Sequence, residues 1–513
     1  MNRREFSKML ALLGCSWPLP SAALAKTAGD DWSAVFAGRL REHPWLAAWG
    51  NIEREHYEAG ANVSGRWPET LRGTLYRTGP ARHEAHGWRN RHWFDGDGMV
   101  HAWRIGGDGI RHQARLVETA KVKAEREAGR ALYPGLMAAP PGPAAVTGPD
   151  DINLANTSVL FHHGRLLALW EAGSPYEIDP ETLETAGPYR FAEPGGGSSM
   201  AGVPFSAHPR VDVDGGVWNF GYASSAGLLV FWHVGADGGL RKAGRIAVEP
   251  MTMPHDFVVT ERHLVLLLPP LHYQPSSAAP GFLGRHQWRP QDPCRVLVVD
   301  KNDLSSHFFL ELPAQWVFHF GNAWEDGAGV IRFDAARAPH PGIMTRSFSE
   351  IMRGHAIDER PANHYGYRLD TKARAISEEA LLGTDVHTEF PCIDPRVGCR
   401  RYRKLVLLSQ SGAKAPVHGT LDEVSLFDIE TGRRDFFRYP ESQIPEEHLY
   451  VARPGSEPEA SGWILGTAHD WRRDRQVLNL FDADRVADGP VAAAELPYAI
   501  PLGLHGKFAQ AAV

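Results

Sequence analysis

From about position 65 to the end of the chain, apolar and polar residues fall into short runs of strand length. Glycine, aspartate and proline punctuate them, and sustained helical periodicity is scarce. One unit recurs: an apolar strand that ends in an acidic or glycine turn and leads into a second strand. It is found at 102–109, 176–183, 232–239, 297–304, 367–373, 426–432 and 480–486. Seven such hairpins, spaced more widely than the roughly 40–45 residues of a minimal propeller blade, predict an all-β chain folded as a seven-bladed β-propeller with long loops. Aspartate-turn hairpins occur in other β architectures too, so the count sets the blade number only if the seven turns are equivalent.

Three irregular insertions, at 124–151, 269–292 and 335–363, have the length of lids or binding surfaces. Within the second, Ala279-Pro280-Gly281-Phe282-Leu283 reads either as an exposed apolar patch facing a membrane or hydrophobic ligand, or as linker. The stretch before the strands is mixed and partly helical. The domain plan is therefore a 26–64 entry segment followed by one propeller domain over 65–513.

Composition supports this picture. The 52 glycines and 38 prolines supply turns for many strands. The 513 residues, 43% of them hydrophobic, suffice for one large closed β architecture or for two or three ordinary domains. Lys and Arg number 54 against 61 Asp and Glu, interspersed and without a basic stripe, which argues against a nucleic-acid partner. Four cysteines do not make a disulfide framework; Cys392 and Cys399 are close enough to pair or to remain thiols. Residues 1–25 carry Arg3-Arg4, an apolar run from Met9 to Leu13 and the small-residue site Ala23-Leu24-Ala25. They read as a twin-arginine signal peptide, which predicts export of a folded protein to the periplasm. A variant reading makes Cys15 a lipid-anchored residue. No apolar run reaches the roughly 18–20 residues of a membrane span, and nothing in the sequence sets the oligomeric state.

The candidate chemistry lies in four histidines set in apolar, strand-like surroundings: His208 after Phe205-Ser206-Ala207, His255 before Asp256-Phe257, His319 within Trp316-Val317-Phe318, and His505 within Leu502-Gly503-Leu504. Each alone reads as a core histidine. Together they fall in different blades, whose inner strands all face one axis, so side chains distant in sequence converge there. Four neutral imidazoles suit iron, copper, zinc or nickel. They bring no charge, so carboxylates must stand behind them, hydrogen-bonded to the distal ring nitrogens. Glu171, Glu389 and Glu447 sit in apolar settings where an unpartnered carboxylate is costly. Surface or turn positions are the alternative for each.

From about Gly65 to Phe508 the chain resembles the carotenoid cleavage oxygenases. The motifs are Trp93-Phe94-Asp95-Gly96-Asp97-Gly98-Met99-Val100-His101, Ala207-His208-Pro209-Arg210-Val211-Asp212, His255-Asp256-Phe257 with Thr260, His319 with Asn322-Ala323-Trp324-Glu325, and Leu504-His505-Gly506 with Phe508. The resemblance implies that His208, His255, His319 and His505 bind one Fe(2+) per chain, and that Glu171, Glu389 and Glu447 orient three of them. It implies that Thr157, next to Asn156, shields one open iron position, and that a dome of loops and short helices covers the axial metal site. The implied activity is oxidative cleavage of a conjugated C=C bond of a carotenoid or apocarotenoid, with O2, to carbonyl products.

Some positions depart from the family pattern. His448 follows Glu447 where proline is usual, which keeps Glu446 as the neighbouring candidate. His112 stands where stilbene-cleaving members carry tyrosine, and their phenolate-binding lysine has no clear counterpart, with Lys121 and Lys123 nearby. A lignostilbene or phenylpropenoid alkene is therefore the alternative substrate. A non-catalytic metal-containing propeller module is the rival from another class. Asp97 and His101 read as builders of a tight turn rather than as reacting groups.

Overall fold

The computed structural model describes residues 31–193, 200, 202–412 and 415–511. Residues 1–25, expected above to be a signal peptide and including Cys15, lie outside them. Strands dominate, and each of the seven predicted turns joins the third and fourth strands of an antiparallel meander. The turn at 232–239, for example, connects Leu228–Val234 to Leu240–Ala247, behind Arg210–Val211 and Val217–Ala223. Two meanders, Trp316–Glu325 to Ala375–Ala380 and Val386–Cys392 to Arg434–Arg438, are joined into one sheet by the single pair Asn363↔His387.

Burial explains why the runs look as they do. Val217–Ala223 is buried at every position and Trp316–Glu325 at its first eight, because both faces are covered by neighbouring sheets. The outer His307–Leu312 alternates, because one face meets solvent. Between sheets the core is apolar: Leu160, Leu167 and Leu169 pack with Val217, Val230 and Trp232, and Leu75 and Trp103 with Leu465 and Leu478.

The two ends of the chain complete each other's sheets. Gly506–Gln510 pairs with Gly73–Arg82, and Asn62–Gly65 pairs with Ala492–Glu495. Strands of the 31–64 stretch thus join the same sheets. His56–Gly60 also lies on Gly109–Leu116, and the turn Pro44–Trp49 sinks Trp45, Leu46, Ala48 and Trp49 into the largest core cluster. That apolar run is too short to show a period, yet it carries two tryptophans.

Residues of all three insertions, among them Leu136, Leu283 and Phe348, pack into one core cluster. Leu283 is buried and Phe282 packs against the same core, so the 279–283 segment turns inward and is not an exposed patch. Its apolar character reflects burial. Asp97 does not serve a simple turn either. It opens the strand Asp97–Gly106, and its buried carboxylate meets Arg82 and Lys121, both at 2.9 Å. Cys294, Cys392 and Cys399 are free thiols, so 392 and 399 do not pair.

Asp95 ends the short turn Trp93–Asp95 and accepts the Leu136 N–H at 2.8 Å, tying the first insertion down. Burial pushes its pKa from 3.8 up to about 7, against the pull of that N–H and of Lys121. The folded protein therefore holds a proton that the unfolded chain releases near 3.8. The associated stability is complete below that value and is lost as pH rises through about 7. Urea midpoints should fall over this window, and Asp95→Asn, which keeps an acceptor for Leu136, should flatten the slope. An unchanged slope in the variant would assign the titration elsewhere.

Candidate metal centre

The first strand of each meander, or one of the three residues before it, carries a side chain of the predicted site. Thr157 precedes Ser158–His162, His208 precedes Arg210–Val211, His255 precedes Val258–Val259, and His505 precedes Gly506–Gln510. His319, Glu389 and Glu447 lie inside Trp316–Glu325, Val386–Cys392 and Gln443–Ala452. In these three strands the pairing register breaks at the residue in question: between Val317 and Phe320, between Glu389 and Cys392, and between Pro445 and His448. Such bulges re-aim side chains out of the pleat. Phe390, beside Glu389, has φ of 53° and stacks on the His319 ring at 5.3 Å.

The four imidazoles meet. His208 Nε2 is 3.0 Å from His255 Nε2, which is 3.3 Å from His319 Nε2, which is 3.1 Å from His505 Nε2. The ligand atoms of His208, His319 and His505 all lie within 4.8 Å of one another. Behind them, His319 Nδ1 donates to Glu389 at 2.5 Å, His505 Nδ1 to Glu447 at 2.8 Å, and His255 Nδ1 to Glu171. A ring that gives its Nδ1 proton to a carboxylate presents a bare lone pair at Nε2. Three lone pairs so directed, gathered against the His208 ring, repel unless a cation lies among them. Ligands at about 2.1 Å and at right angles would stand about 3.0 Å apart, so the spacing suits a transition-metal ion.

At His319 burial works to lower the pKa, yet the Glu389 carboxylate raises it above the usual histidine value, while His208 and His505 are lowered. Burial, reinforced by the other three imidazoles, holds His208 well below the usual histidine range and keeps it neutral. Burial works to raise Glu447, yet His505 and Arg77 hold it down at about 2, so it stays an anion. Glu446, the neighbouring candidate, faces elsewhere: its carboxylate accepts the Gly503 N–H and the Gln476 amide.

Thr157 borders two adjoining cavities. Its hydroxyl donates to Asn156 Oδ1 at 3.1 Å, and Asn156 donates to the carbonyls of Phe94 and Gly96. The larger cavity, about 1770 Å³ with its mouth, reaches Glu171, Thr157 and His255 past Tyr133, Leu136 and Phe282. The second is almost wholly apolar and runs along His319 and His505 between Trp93, Phe318, Phe348 and Phe390. A third continues from Phe348 and Phe390 towards Leu408 and Ile444. The space thus passes the histidines rather than ending at them.

Of the remaining positions, Lys121 lines the larger cavity but is held by Asp97 and Glu125, and Lys123 is exposed. His112 is fully buried between His101 and Tyr498, away from these cavities. The aromatic walls, Phe318 and Phe390 above all, were not read from the sequence. The signal available was their place next to His319 and Glu389.

Comparison with known proteins gives one consistent picture. The family model described as retinal pigment epithelial membrane protein matches residues 50–510. Apocarotenoid-15,15'-oxygenase of Synechocystis is 28% identical, over 91% of this chain and 96% of its own length. Lignostilbene-alpha,beta-dioxygenase isozyme III of Sphingomonas paucimobilis is also 28% identical, over 88% and 93%. The crystal structure of the cobalt-substituted Synechocystis apocarotenoid oxygenase superposes with a TM-score of 0.81 at 26% identity, covering 91% of this chain and 98% of that one.

Proposed function

Because the chain belongs to the retinal pigment epithelial membrane protein (RPE65) family, we propose that it is a non-haem iron(II) oxygenase cleaving a conjugated C=C bond of a carotenoid or apocarotenoid. The overall change is balanced: one alkene and one O2 give two carbonyl fragments. The observation that carries this reading is the convergence of four Nε2 atoms whose rings are backed by three carboxylates.

Iron bound there supplies the redox chemistry that lets ground-state O2 react with a closed-shell alkene. The histidines offer four neutral nitrogens, and Glu171, Glu389 and Glu447 keep the Nδ1 protons in place and balance the charge. Thr157 shields one side of the centre. Trp93, Phe318, Phe348 and Phe390 exclude water and align a long apolar chain past the histidines. The scheme needs no side-chain acid or base. The scaffold we assign is a closed seven-bladed propeller capped by a dome of loops and short helices. The meanders and the apolar clusters between neighbours support it.

A lignostilbene or phenylpropenoid alkene is the second reading. It is favoured by the charged side chains of Arg82, Lys121 and Glu125 that line the larger cavity, and the Sphingomonas relative is as similar in sequence as the Synechocystis one. No helix among the described residues is long and apolar enough to cross a membrane. The periplasmic assignment rests on the twin-arginine segment alone.

Iron quantitation followed by product analysis on a panel of apocarotenals and stilbenes tests the proposal. Stoichiometric iron with aldehydes from apocarotenals is expected. Faster turnover of phenolic stilbenes would install the second reading, and zinc or no metal would remove both.

A further inference from the structure

The meanders carrying the histidines are held together mainly by apolar faces, and such packing is non-directional. A metal site tolerates ligand errors of only about 0.2 Å. Something must fix the first strands relative to one another where they meet, and two arginine–carboxylate pairs stand at that position.

Arg210, two residues after His208, donates from Nε to the Phe257 carbonyl at 3.0 Å, from Nη1 to Gly321 at 3.1 Å and from Nη2 to Phe320 at 2.9 Å. Its guanidinium also pairs with Asp256, the residue after His255. Asp256 in turn accepts the N–H of Phe320 at 3.0 Å and of Phe257 at 2.7 Å. One charge pair thereby joins three first strands, at points within two residues of His208, His255 and His319.

Arg77 does the same on the other side. Only 2% exposed, it donates from Nη1 to the Glu447 carbonyl at 2.7 Å and from Nη2 to Leu504 at 2.9 Å. Glu446 lies 3.8 Å from that guanidinium and accepts the Gly503 N–H, two residues before His505. Arg77 is itself the ladder partner of Gly506. The second pair therefore fixes His505 against the strand that carries its carboxylate, Glu447.

We propose that Arg210–Asp256 and Arg77–Glu446 are positioning residues, two clamps on the backbone that set the spacing of the four-histidine cage and hence its metal affinity. The inference rests on the metal-site reading above. It assigns Glu446 the task of holding backbone, beside a neighbour that holds an imidazole. A guanidinium is required because its rigid fork serves a carboxylate together with three carbonyls at Arg210 and two at Arg77, which an ammonium cannot reproduce.

The test uses the full chain with Arg210→Lys, Arg77→Lys and Asp256→Asn, beside His319→Ala. Iron affinity is read by chelator competition, the visible spectrum of the cobalt-loaded protein reports ligand geometry, and melting of the metal-free protein scores the fold. Each lysine variant should bind iron about 10- to 100-fold more weakly and shift the cobalt spectrum, with a cooperative melt retained. Asp256→Asn decides the first clamp if Arg210→Lys does not fold. Wild-type affinity and an unshifted spectrum in folded clamp variants would overturn the proposal, and the metal site would still stand if His319→Ala loses its metal. Full metal retention by His319→Ala would remove the site itself.

Discussion

His319→Ala is expected to purify as a folded protein that holds less than about a tenth of the wild-type iron and cleaves no alkene. His319 is the middle member of the cage, with Nε2 at 3.3 Å from His255 and 3.1 Å from His505. The strand survives because eight of its ten positions are buried and it keeps its pairing with Val330–Ala338. The substitution also strips Glu389 of its imidazole donor, leaving a buried carboxylate with the Phe390 N–H at 3.0 Å. That should cost about 1–3 kcal/mol. Adding Glu389→Gln should therefore raise the stability of His319→Ala while leaving it metal-free. Urea unfolding and iron analysis of the pair check both parts, and a single variant with full iron would end the assignment of His319 as a ligand.

The histidines were legible in the sequence because a polar ring in an apolar strand is rare, and four such rings on or beside separate strands admit a common centre. The glutamates followed from the need for Nδ1 acceptors. The choice of Glu447 over Glu446 was less open to reading, because a bulge between Pro445 and His448 decides which carboxylate turns to His505, and bulges leave no compositional trace. The seven turns were visible as aspartates ending apolar runs. The burial of Trp45 and Trp49 was not, because a six-residue apolar turn has no period to read. At 279–283 local hydrophobicity suggested exposure where the structure shows burial, since composition does not say which side of a loop is covered. Arg210 and Asp256 each lie within two residues of a candidate ligand. Asking what neutralises a charge in an apolar strand would have singled them out.

Ending the chain at Pro501 should cost the fold as well as the metal, in contrast to His505→Ala in the full chain, which should lose metal alone. Truncation removes Leu502 and Leu504, each 4% exposed, and the strand that pairs from Gly73↔Gln510 to Arg77↔Gly506. The leucines contribute about 1.5–3 kcal/mol each, and the ladder about 1 kcal/mol per bond. Together these approach the 5–15 kcal/mol that is typically about all a native protein has. The loss falls where the two ends of the chain meet, and it leaves Gly73–Arg82 as an open edge for pairing with other molecules. Arg77 would at the same time lose the Leu504 carbonyl while remaining buried. The truncated protein should appear in the insoluble fraction or unfold without cooperativity in urea, while His505→Ala keeps a sharp transition. A truncated chain that unfolds cooperatively near the wild-type midpoint would show that the fold does not depend on the pairing of Gly506–Gln510 with Gly73–Arg82.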